Sequence, residues 1–259
     1  LYDRFPQVLA PIRARGGIQL EGVSKTGFAK LDQICEDVAQ AVDGAEIIFV
    51  VLPAFAHAYV AQELAGCLVD GQTVVVCPGA TGGALEFRAI WDRAGCRSKV
   101  RLCETNSLFY AARAQDAVAT ISGVKDELSL AALPAQDTQA IIDDLSDVYP
   151  QLIPAANVLE TSLNNMNTVV HPLPVLLNAG SIERGEKFRH YFDGITPAVG
   201  EVVEQMDRER VAVGRAYGLD ILSLRDAYIH YYHVQAEKMS DLCHMSQAHA
   251  NIMAPGVLD

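Results

Sequence analysis

The sequence has no paired cysteines, no excess of basic residues and no apolar run of membrane length. Its six cysteines stand singly along 259 residues, which argues against a disulfide framework and favours reduced thiols in a cytoplasmic protein. The formal net charge of −12 argues against a nucleic-acid partner, because such a partner selects a basic surface. The longest apolar stretch, residues 47–56, has the size of a buried strand and a turn, so we expect no membrane partner.

The two ends of the sequence also lack expected features. The chain opens on Leu1-Tyr2-Asp3-Arg4 without a methionine, and residues 255–259 close it without a terminal helix or a polar tail. We interpret both ends as cuts through structure and expect a fragment. Half of the residues are apolar and a fifth are charged, as is typical of a globular protein with one large or two modest domains.

Strand-like and helix-like segments alternate over the first part of the chain. Together with near-continuous apolar strands, this alternation is typical of a parallel sheet covered by helices. We therefore predict a Rossmann-type, doubly wound α/β domain over residues 1–156, without its first βα unit. The predicted helices cover residues 6–15, 37–42, 57–68, 84–94 and 138–148. One predicted strand ends at Asp3, and the others cover residues 46–52, 73–77, 100–103, 117–121, 128–132 and 151–153.

After residue 156 the pattern changes to long helices. Thr196 followed by Pro197 is typical of a helix start, with a capping hydroxyl and a proline at the first helical position. We predict an all-helical domain over residues 157–259. Its predicted helices cover residues 157–170, 173–183, 197–217 and 223–238.

Polar or glycine-rich loops follow several of the predicted strands. Ligands of open α/β sheets bind outside the carboxyl ends of strands, so these loops are candidates for a dinucleotide site. Asp3 suits the adenosine ribose and favours NAD, whereas Arg4 can either stack on adenine or bind the 2′-phosphate of NADP. The glycine-rich loop expected roughly 20 residues before such an acid is absent, and each loop alone is equally compatible with a tight turn. The candidate cofactor-binding residues are Asp3, Arg4, Pro53, Ala54, Pro78, Gly79, Glu104 and Thr105.

A second candidate site lies in residues 161–178. Asn164, Asn167 and His171 are spaced by three and four residues, which predicts one shared helix face. Pro172 disfavours helical geometry at His171, so the imidazole would stand at the mouth of a helix. There it could donate a proton to a carbonyl or an imine. The alternative interpretation is a kinked core helix with a hydrogen-bonded histidine.

A group of histidines and one cysteine near the end of the chain invites a metal-site interpretation. The spacings are irregular, however, whereas metal sites favour short defined intervals such as His-x-x-x-His. We therefore expect no metal and interpret these side chains as solvated or as helix caps. They are His230, His233, Cys243, His244 and His249.

Several motifs together resemble those of the opine dehydrogenases, also called the octopine/nopaline dehydrogenase family. The resemblance runs over almost the whole chain. It implies a Rossmann domain followed by a helical domain of the 6-phosphogluconate dehydrogenase C-terminal type. The motifs are Pro78-Gly-Ala-Thr-Gly-Gly-Ala-Leu-Glu-Phe87, Thr161-Ser-Leu, Asn165, Asn167, His171-Pro-Leu-Pro, Leu176-Leu-Asn-Ala179 and Gly194-Ile-Thr-Pro197.

The resemblance implies an activity and roles for individual residues. The family condenses an L-amino acid with pyruvate or another 2-oxo acid, and NAD(P)H reduces the imine to a secondary amine dicarboxylate. His171 matches the catalytic histidine, and we expect Asn167 to orient substrate or cofactor. Asp3 matches the ribose contact, and the loops at Pro53, Gly79 and Glu104 match the nicotinamide side. The aspartate and arginine partners of the histidine are expected beyond residue 259, in an Arg-Tyr-x-x-Glu-Asp segment.

Substrate contacts, assembly and rival functions remain open from the sequence. Candidate substrate-binding residues are Tyr110, Met166 and Asn164, with Phe188 as a further possibility, and we expect a homodimer. A β-hydroxyacid or ketopantoate-type reductase is an alternative, but such enzymes usually place a lysine on the long helix. No lysine occurs between Asn157 and Ser181. The other alternative is a non-catalytic remnant, since a chain cut at both ends is expected to turn over little or not at all.

Overall fold

The computed structural model describes residues 1–246 and 249–258. They divide into two compact units, Leu1–Ser162 and Leu163–Asp259. Within the described residues, no helix is both long enough and apolar enough to cross a lipid bilayer.

The first unit contains nine strands and most of six helices. The strands are β1 (Gly17–Gly22), β2 (Gly27–Lys30), β3 (Ile47–Val50), β4 (Thr73–Val76), β5 (Arg101–Thr105), β6 (Tyr110–Gln115), β7 (Val118–Val124), β8 (Leu128–Ala132) and β9 (Leu152–Pro154). The helices are α1 (Pro6–Arg15), α2 (Val38–Val42), α3 (His57–Ala65), α4 (Gly83–Ala94), α5 (Thr138–Leu145) and α6 (Val158–Leu163). Two short 3₁₀ helices cover Ala54–Ala56 and Ala135–Asp137.

The main sheet of this unit has five strands in the order β3-β4-β5-β8-β9. Apolar helices cover both of its faces, which is why all four residues of β4 are buried. Val74 and Val76 face a core shared with Phe87 and Trp91 of α4. Val75, one residue between them, faces the opposite core with Ile141 of α5. This alternation across two covered faces confirms the predicted Rossmann-type α/β fold.

Two features of the sheets differ from the prediction. Strand β8 pairs antiparallel with β5, although the other neighbouring strands of the main sheet are parallel. A second, four-stranded sheet in the order β2-β1-β7-β6 was not expected, and three of its strands were missed altogether. The strand predicted to end at Asp3 is reduced to a single bridge between Tyr2 and Cys35.

The second unit is helical. Its further helices are α7 (Asn167–Val170), α8 (Pro172–Leu177), α9 (Ala179–Glu183), α10 (Pro197–Ala216), α11 (Leu224–Tyr232) and α12 (Met239–Met245). As predicted, α10 begins at Pro197, and the Thr196 hydroxyl caps it by accepting a hydrogen bond from Val199 N at 3.4 Å. Val203 of α10 packs in one core with Leu224 of α11 and Leu242 of α12.

The prediction of one continuous helix over residues 157–170 is wrong. Helix α6 ends at Leu163 and α7 begins at Asn167, so Asn164 lies in the break and shares no helix face with His171. The helix predicted over residues 223–238 also ends earlier, at Tyr232. The functional division of the chain at residue 156 stays a prediction.

Candidate functional site

In the first unit, a buried carboxylate lies at the carboxyl end of β5. Glu104 is completely shielded from solvent. Its Oε2 accepts a hydrogen bond from Ala84 N at 2.7 Å, at the start of α4. Its Oε1 accepts from the hydroxyls of Thr161 at 2.6 Å and Ser162 at 2.9 Å. Burial raises the pKa of Glu104, and the hydrogen bonds from Thr161, Ala84 and Ser162 offset part of that rise.

The loop between β4 and α4 is fitted around this carboxylate. Gly82 N donates to Ser162 Oγ at 2.9 Å, so the serine links the loop to Glu104. A Cβ atom at Gly79 would lie 2.4 Å from the Glu104 carboxyl group, and therefore only glycine fits there. The loop at Gly79, which was expected on the nicotinamide side, makes its close backbone approach here to Glu104. Glu104 thus holds the loop in place, and its direct contact with a cofactor stays a prediction.

His57 lies beside the same loop and starts α3. It is buried, and its Nε2 lies 3.2 Å from the Leu52 carbonyl oxygen, to which it donates in the neutral tautomer that suits this contact. Burial lowers the pKa of His57, so the ring is neutral near pH 7. Its Nδ1 faces Gly83, where an added Cβ would lie 3.4 Å away. His57 is therefore a packing and positioning group for the loop.

The remaining predicted cofactor residues range from exposed, at Pro53 and Ala54, to fully buried, at Thr105. Asp3 Oδ1 accepts a hydrogen bond from Phe5 N at 2.8 Å, which tightens the turn into α1. The Arg4 guanidinium lies over the ring of Tyr59, 4.5 Å from its centroid. Pro53 and Ala54 are exposed in the loop after β3. Pro78 follows a cis peptide bond, and Thr105 Oγ1 donates to the Ser107 carbonyl oxygen at 2.8 Å.

The exposed members of this set leave room for a dinucleotide at the carboxyl ends of the strands. Pro53 and Ala54 are exposed to solvent. At Gly82, with φ +85°, a Cβ atom would meet nothing within 4 Å. Open backbone next to strand ends is what close approach of a phosphate or a nicotinamide requires. Tyr110, a candidate for substrate binding, is half-buried at the start of β6 and contacts Phe109.

In the second unit, the break between α6 and α7 places His171. Asn165 Oδ1 accepts from Asn167 N at 3.1 Å and starts α7, while Asn164 Oδ1 accepts from Leu222 N at 3.1 Å. The Asn164 carboxamide is thus engaged with the backbone, whereas Asn167 is exposed. Arg210 Nη1 donates to the Leu163 carbonyl oxygen at the end of α6. These polar contacts replace the helical hydrogen bonds that the break removes.

His171 itself lies between α7 and α8, where Pro172 begins the new helix. Its Nε2 lies 2.7 Å from the hydroxyl of Tyr191, and its ring packs edge-on against that of His190, with 5.7 Å between centroids. Desolvation, with a smaller effect of His190, lowers the pKa of His171. The residue as a whole is exposed, so water screens part of this effect and the shift is smaller than full burial would give.

The structure adds His190 and Tyr191 to the site, and sequence reasoning missed both. His190 Nε2 lies 2.8 Å from the Val170 carbonyl oxygen, and Tyr191 is buried. The sequence feature that could have pointed to His190 and Tyr191 was the neighbouring motif at residues 194–197. A Cβ atom at Gly194 would lie 2.4 Å from the His190 carbonyl oxygen, and Asn178 Nδ2 donates to Gly194 O at 2.9 Å. These motif residues therefore fix the segment that carries His190 and Tyr191.

The other candidate residues of this unit pack against its core or form hydrogen bonds. Met166 packs against the helical core, and Phe188 O accepts from Ala254 N at 2.9 Å. His244 Nε2 lies 3.1 Å from the Ile195 carbonyl oxygen, and His249 Nδ1 lies 2.8 Å from Ser246 Oγ. Within residues 1–246 and 249–258, no group of three or more His, Cys, Asp or Glu side chains is placed to hold a metal ion. All six cysteines are free thiols.

A Rossmann-like unit followed by a helical unit defines the class of two-domain nicotinamide-dependent dehydrogenases. Residues 154–259 match the α-helical domain of the NAD/NADP octopine/nopaline dehydrogenases. The chain is 36% identical over 255 residues to an opine dehydrogenase of Arthrobacter sp. (strain 1C), covering 98% of this chain and 71% of that protein. It therefore belongs to the opine dehydrogenase family, whose members are NAD- or NADP-dependent oxidoreductases.

Solved structures show the same fold. Octopine dehydrogenase in complex with NADH and agmatine aligns with a TM-score of 0.77 at 20% identity, covering 98% of this chain and 68% of that one. Yersinopine dehydrogenase bound to NADP⁺ aligns with a TM-score of 0.79 at 15% identity, covering 98% and 72%. The predicted family and fold are thus confirmed.

Proposed function

We propose that the protein is an opine dehydrogenase that reductively condenses an L-amino acid with pyruvate or another 2-oxo acid. The single observation that carries the proposal is the placement of His171. It is solvent-exposed at a helix break while its Nε2 contacts the hydroxyl of buried Tyr191. An imidazole held this way can polarise a carbonyl or imine and transfer a proton at its other nitrogen. Family membership supplies the reaction class.

The proposal assigns the nicotinamide cofactor to the strand-end loops of the first unit. Octopine dehydrogenase and yersinopine dehydrogenase have been solved with NADH and with NADP⁺, and the bound nicotinamide would supply the hydride. Asp3 is the proposed ribose contact, with NAD favoured by the carboxylate, and Arg4 is the proposed contact of the adenine or of a 2′-phosphate. The loops at Pro53 and Gly79 are the proposed nicotinamide side, and Glu104 positions the second of them through Ala84 and Ser162.

The proposal assigns the substrates to the second unit. His171 would polarise the oxo acid and then donate a proton, and the exposed carboxamide of Asn167 would orient the substrate. Met166 and Asn164 flank the same break and stay candidates for the amino-acid side chain, as does Tyr110. The motifs within residues 78–87 and 161–179 resemble those of N-(1-D-carboxyethyl)-L-norvaline dehydrogenase. Norvaline therefore belongs among the first amino acids tested. A cytoplasmic homodimer completes the proposal.

The test is NADH or NADPH loss on mixing the purified protein with pyruvate and a mixture of L-amino acids, against pyruvate alone. The proposal predicts loss that requires both substrates, with the secondary amine dicarboxylate detected by mass spectrometry, whereas the alternative of a non-catalytic chain predicts no loss. Loss with the oxo acid alone would favour the hydroxyacid reductase alternative. No loss with either nucleotide would contradict the proposal and favour a non-catalytic chain.

A pair of histidine variants separates the proposed role of His171 from general damage. His171→Ala should lower kcat by about 10²–10⁴-fold, the contribution typical of an acid–base group, while NADH affinity stays unchanged. His233→Asn is the matched control. His233 is exposed and has φ +53°, a conformation that asparagine tolerates, so its turnover should equal that of the wild type. Equal turnover in both variants would refute the role of His171.

A further inference from the structure

The side chain of Arg4 is held on the ring of Tyr59, which belongs to the first turn of α3. The guanidinium carbon lies 4.5 Å from the ring centroid, within the range of a cation–π contact. Tyr2 reaches the same tyrosine from the other side of Asp3, since burial and a hydrogen bond to Tyr59 raise the pKa of Tyr2 to about 12. The Asp3 carboxylate turns away from this ring and accepts a hydrogen bond from Phe5 N at 2.8 Å.

We propose that Tyr59 is a positioning residue that commits Arg4 to stacking on the adenine ring of the cofactor, so that the chain binds NAD in preference to NADP. The proposal rests on the proposed function in taking a nicotinamide dinucleotide as the ligand. A guanidinium group is planar and has two faces that can stack on rings. Tyr59 covers one face of Arg4, and because Arg4 is exposed, the other face is open to a second ring.

Two neighbouring side chains fit an adenosine better than an adenosine with a 2′-phosphate. Phe55 lies in the 3₁₀ helix directly before α3, and 89% of it is exposed. An exposed aromatic ring offers contact area to a base but no hydrogen-bond donor to a phosphate. The Asp3 carboxylate next to Arg4 suits the ribose hydroxyls and repels a phosphate at the same place.

The first experiment measures binding of ADP-ribose, which carries the adenosine half of the cofactor and cannot be turned over. By isothermal titration calorimetry, the wild type should bind ADP-ribose more tightly than its 2′-phosphate derivative. Arg4→Leu and Tyr59→Leu should each weaken ADP-ribose binding by about threefold to tenfold, as expected for the loss of a partly exposed cation–π stack. Tyr59→Phe keeps the ring and should bind within about twofold of the wild type.

A double variant decides whether Tyr59 acts through Arg4. Arg4→Leu combined with Tyr59→Leu should bind ADP-ribose no more weakly than Arg4→Leu alone, because a positioning residue has no effect once the residue that it positions is gone. Additive losses would show that Tyr59 contacts the ligand itself and would overturn the positioning role. A larger effect of Arg4→Leu on the 2′-phosphate derivative than on ADP-ribose would assign Arg4 to the phosphate and overturn the proposal. Failure of the wild type to bind ADP-ribose would also overturn it.

Arg88→Leu is the matched control. The Arg88 guanidinium lies over the ring of Trp91 on α4, 5.5 Å from its centroid, so the variant removes the same kind of stack from another helix. It should bind ADP-ribose as the wild type does. Tyr59 is 36% exposed and leucine is a good helix former, so the unfolding midpoint of Tyr59→Leu should stay close to that of the wild type. If Tyr59→Leu does not fold, Tyr59→Met takes its place in every comparison.

The binding results and the turnover assay fail independently. The expected ADP-ribose pattern without any amino-acid-dependent NADH loss would refute the proposed function and leave the role of Tyr59 standing. Amino-acid-dependent NADH loss with the same KM for NADH in the wild type and in Tyr59→Leu would refute the role of Tyr59 and leave the proposed function standing.

Discussion

Gly79 and Glu104 are fitted to each other in the first unit. A Cβ atom at residue 79 would lie 2.4 Å from the Glu104 carboxyl group, a distance that real Cβ contacts essentially never show. Gly79 N also donates to Thr105 O at 2.9 Å, and Gly83 N donates to Gly79 O at 2.9 Å. These two hydrogen bonds hold the backbone at Gly79 in place, so it cannot move away from Glu104 to make room for a Cβ atom. Gly79 therefore allows the loop to pack on the buried Glu104 carboxylate. This role is additional to any contact that the loop makes with a ligand.

Gly79→Ala should destabilise the protein by about 1–3 kcal/mol, the usual cost of overpacking a buried position. Gly66→Ala is the matched control. Gly66 has φ −89° and ψ −11°, and its added Cβ would meet its nearest neighbour at 3.9 Å. That substitution should be neutral or stabilise by up to about 1 kcal/mol, since it restricts the unfolded chain. Urea unfolding of both variants measures the difference, and equal free energies of unfolding would contradict the fit described here.

Glu104→Ala should cost more than the glycine substitution. It removes the acceptor of Ala84 N, Thr161 Oγ1 and Ser162 Oγ and leaves a cavity in a fully buried place. Each unsatisfied buried group costs about 1–3 kcal/mol, although Thr161 also contacts Val158 O at 3.0 Å and can turn to it. We expect a loss of about 2–5 kcal/mol by urea unfolding. Glu201→Ala, at an exposed position of α10, should lie within about 0.5 kcal/mol of the wild type.

The parts of the fold that sequence reasoning predicted are those with local causes. The cap at Thr196 and the proline at 197 mark the start of α10, and both signals lie within the helix that they start. The apolar run of β4 predicts a strand buried on both faces. By contrast, β1 pairs in parallel with β7, roughly a hundred residues away along the chain. The pairing leaves no periodic signal in the short sequence Gly17–Gly22.

In the candidate site, too, the features with local causes could be predicted and those that depend on distant residues could not. His171 was predicted from its motif and the proline that follows it, whereas the break before α7 depends on distant partners. Leu222 N binds the Asn164 carboxamide, and Arg210 binds the Leu163 carbonyl oxygen. Neither contact is encoded in the spacing of residues 157–170. Tyr191, twenty residues after His171, was likewise invisible to reasoning from helical periodicity.

Arg210→Met should destabilise the second unit strongly. Arg210 and Asp207 form a buried ion pair at 2.7 Å, with 6% and 5% of their side chains exposed, and Asp207 Oδ2 also accepts from Leu224 N at 2.7 Å. Removing the arginine leaves a buried carboxylate without its counter-charge, which costs about 3–5 kcal/mol. Arg208→Met, an exposed neighbour on the same helix, should change stability by no more than about 0.5 kcal/mol. A double variant that also carries Asp207→Leu should recover part of the loss; a further loss would contradict this account of the pair.

The last prediction concerns the pH dependence that His57 gives to stability. Its pKa is lowered by burial in the folded protein, whereas an unfolded histidine titrates near about 6.5. Below that pH His57 binds a proton in the unfolded chain more readily than in the folded chain, so lowering the pH favours unfolding. The contribution of His57 to stability is therefore complete above the unfolded pKa and is lost as pH falls below it.

His57→Gln keeps an N–H donor for Leu52 O and cannot titrate. Urea unfolding at several pH values should show a flatter decline for the variant from pH about 6.5 to 5. Above pH about 7.5 the two curves should run parallel, because His57 exchanges no proton there. Parallel curves over the whole range would show that His57 takes up its proton equally easily in the folded and the unfolded chain.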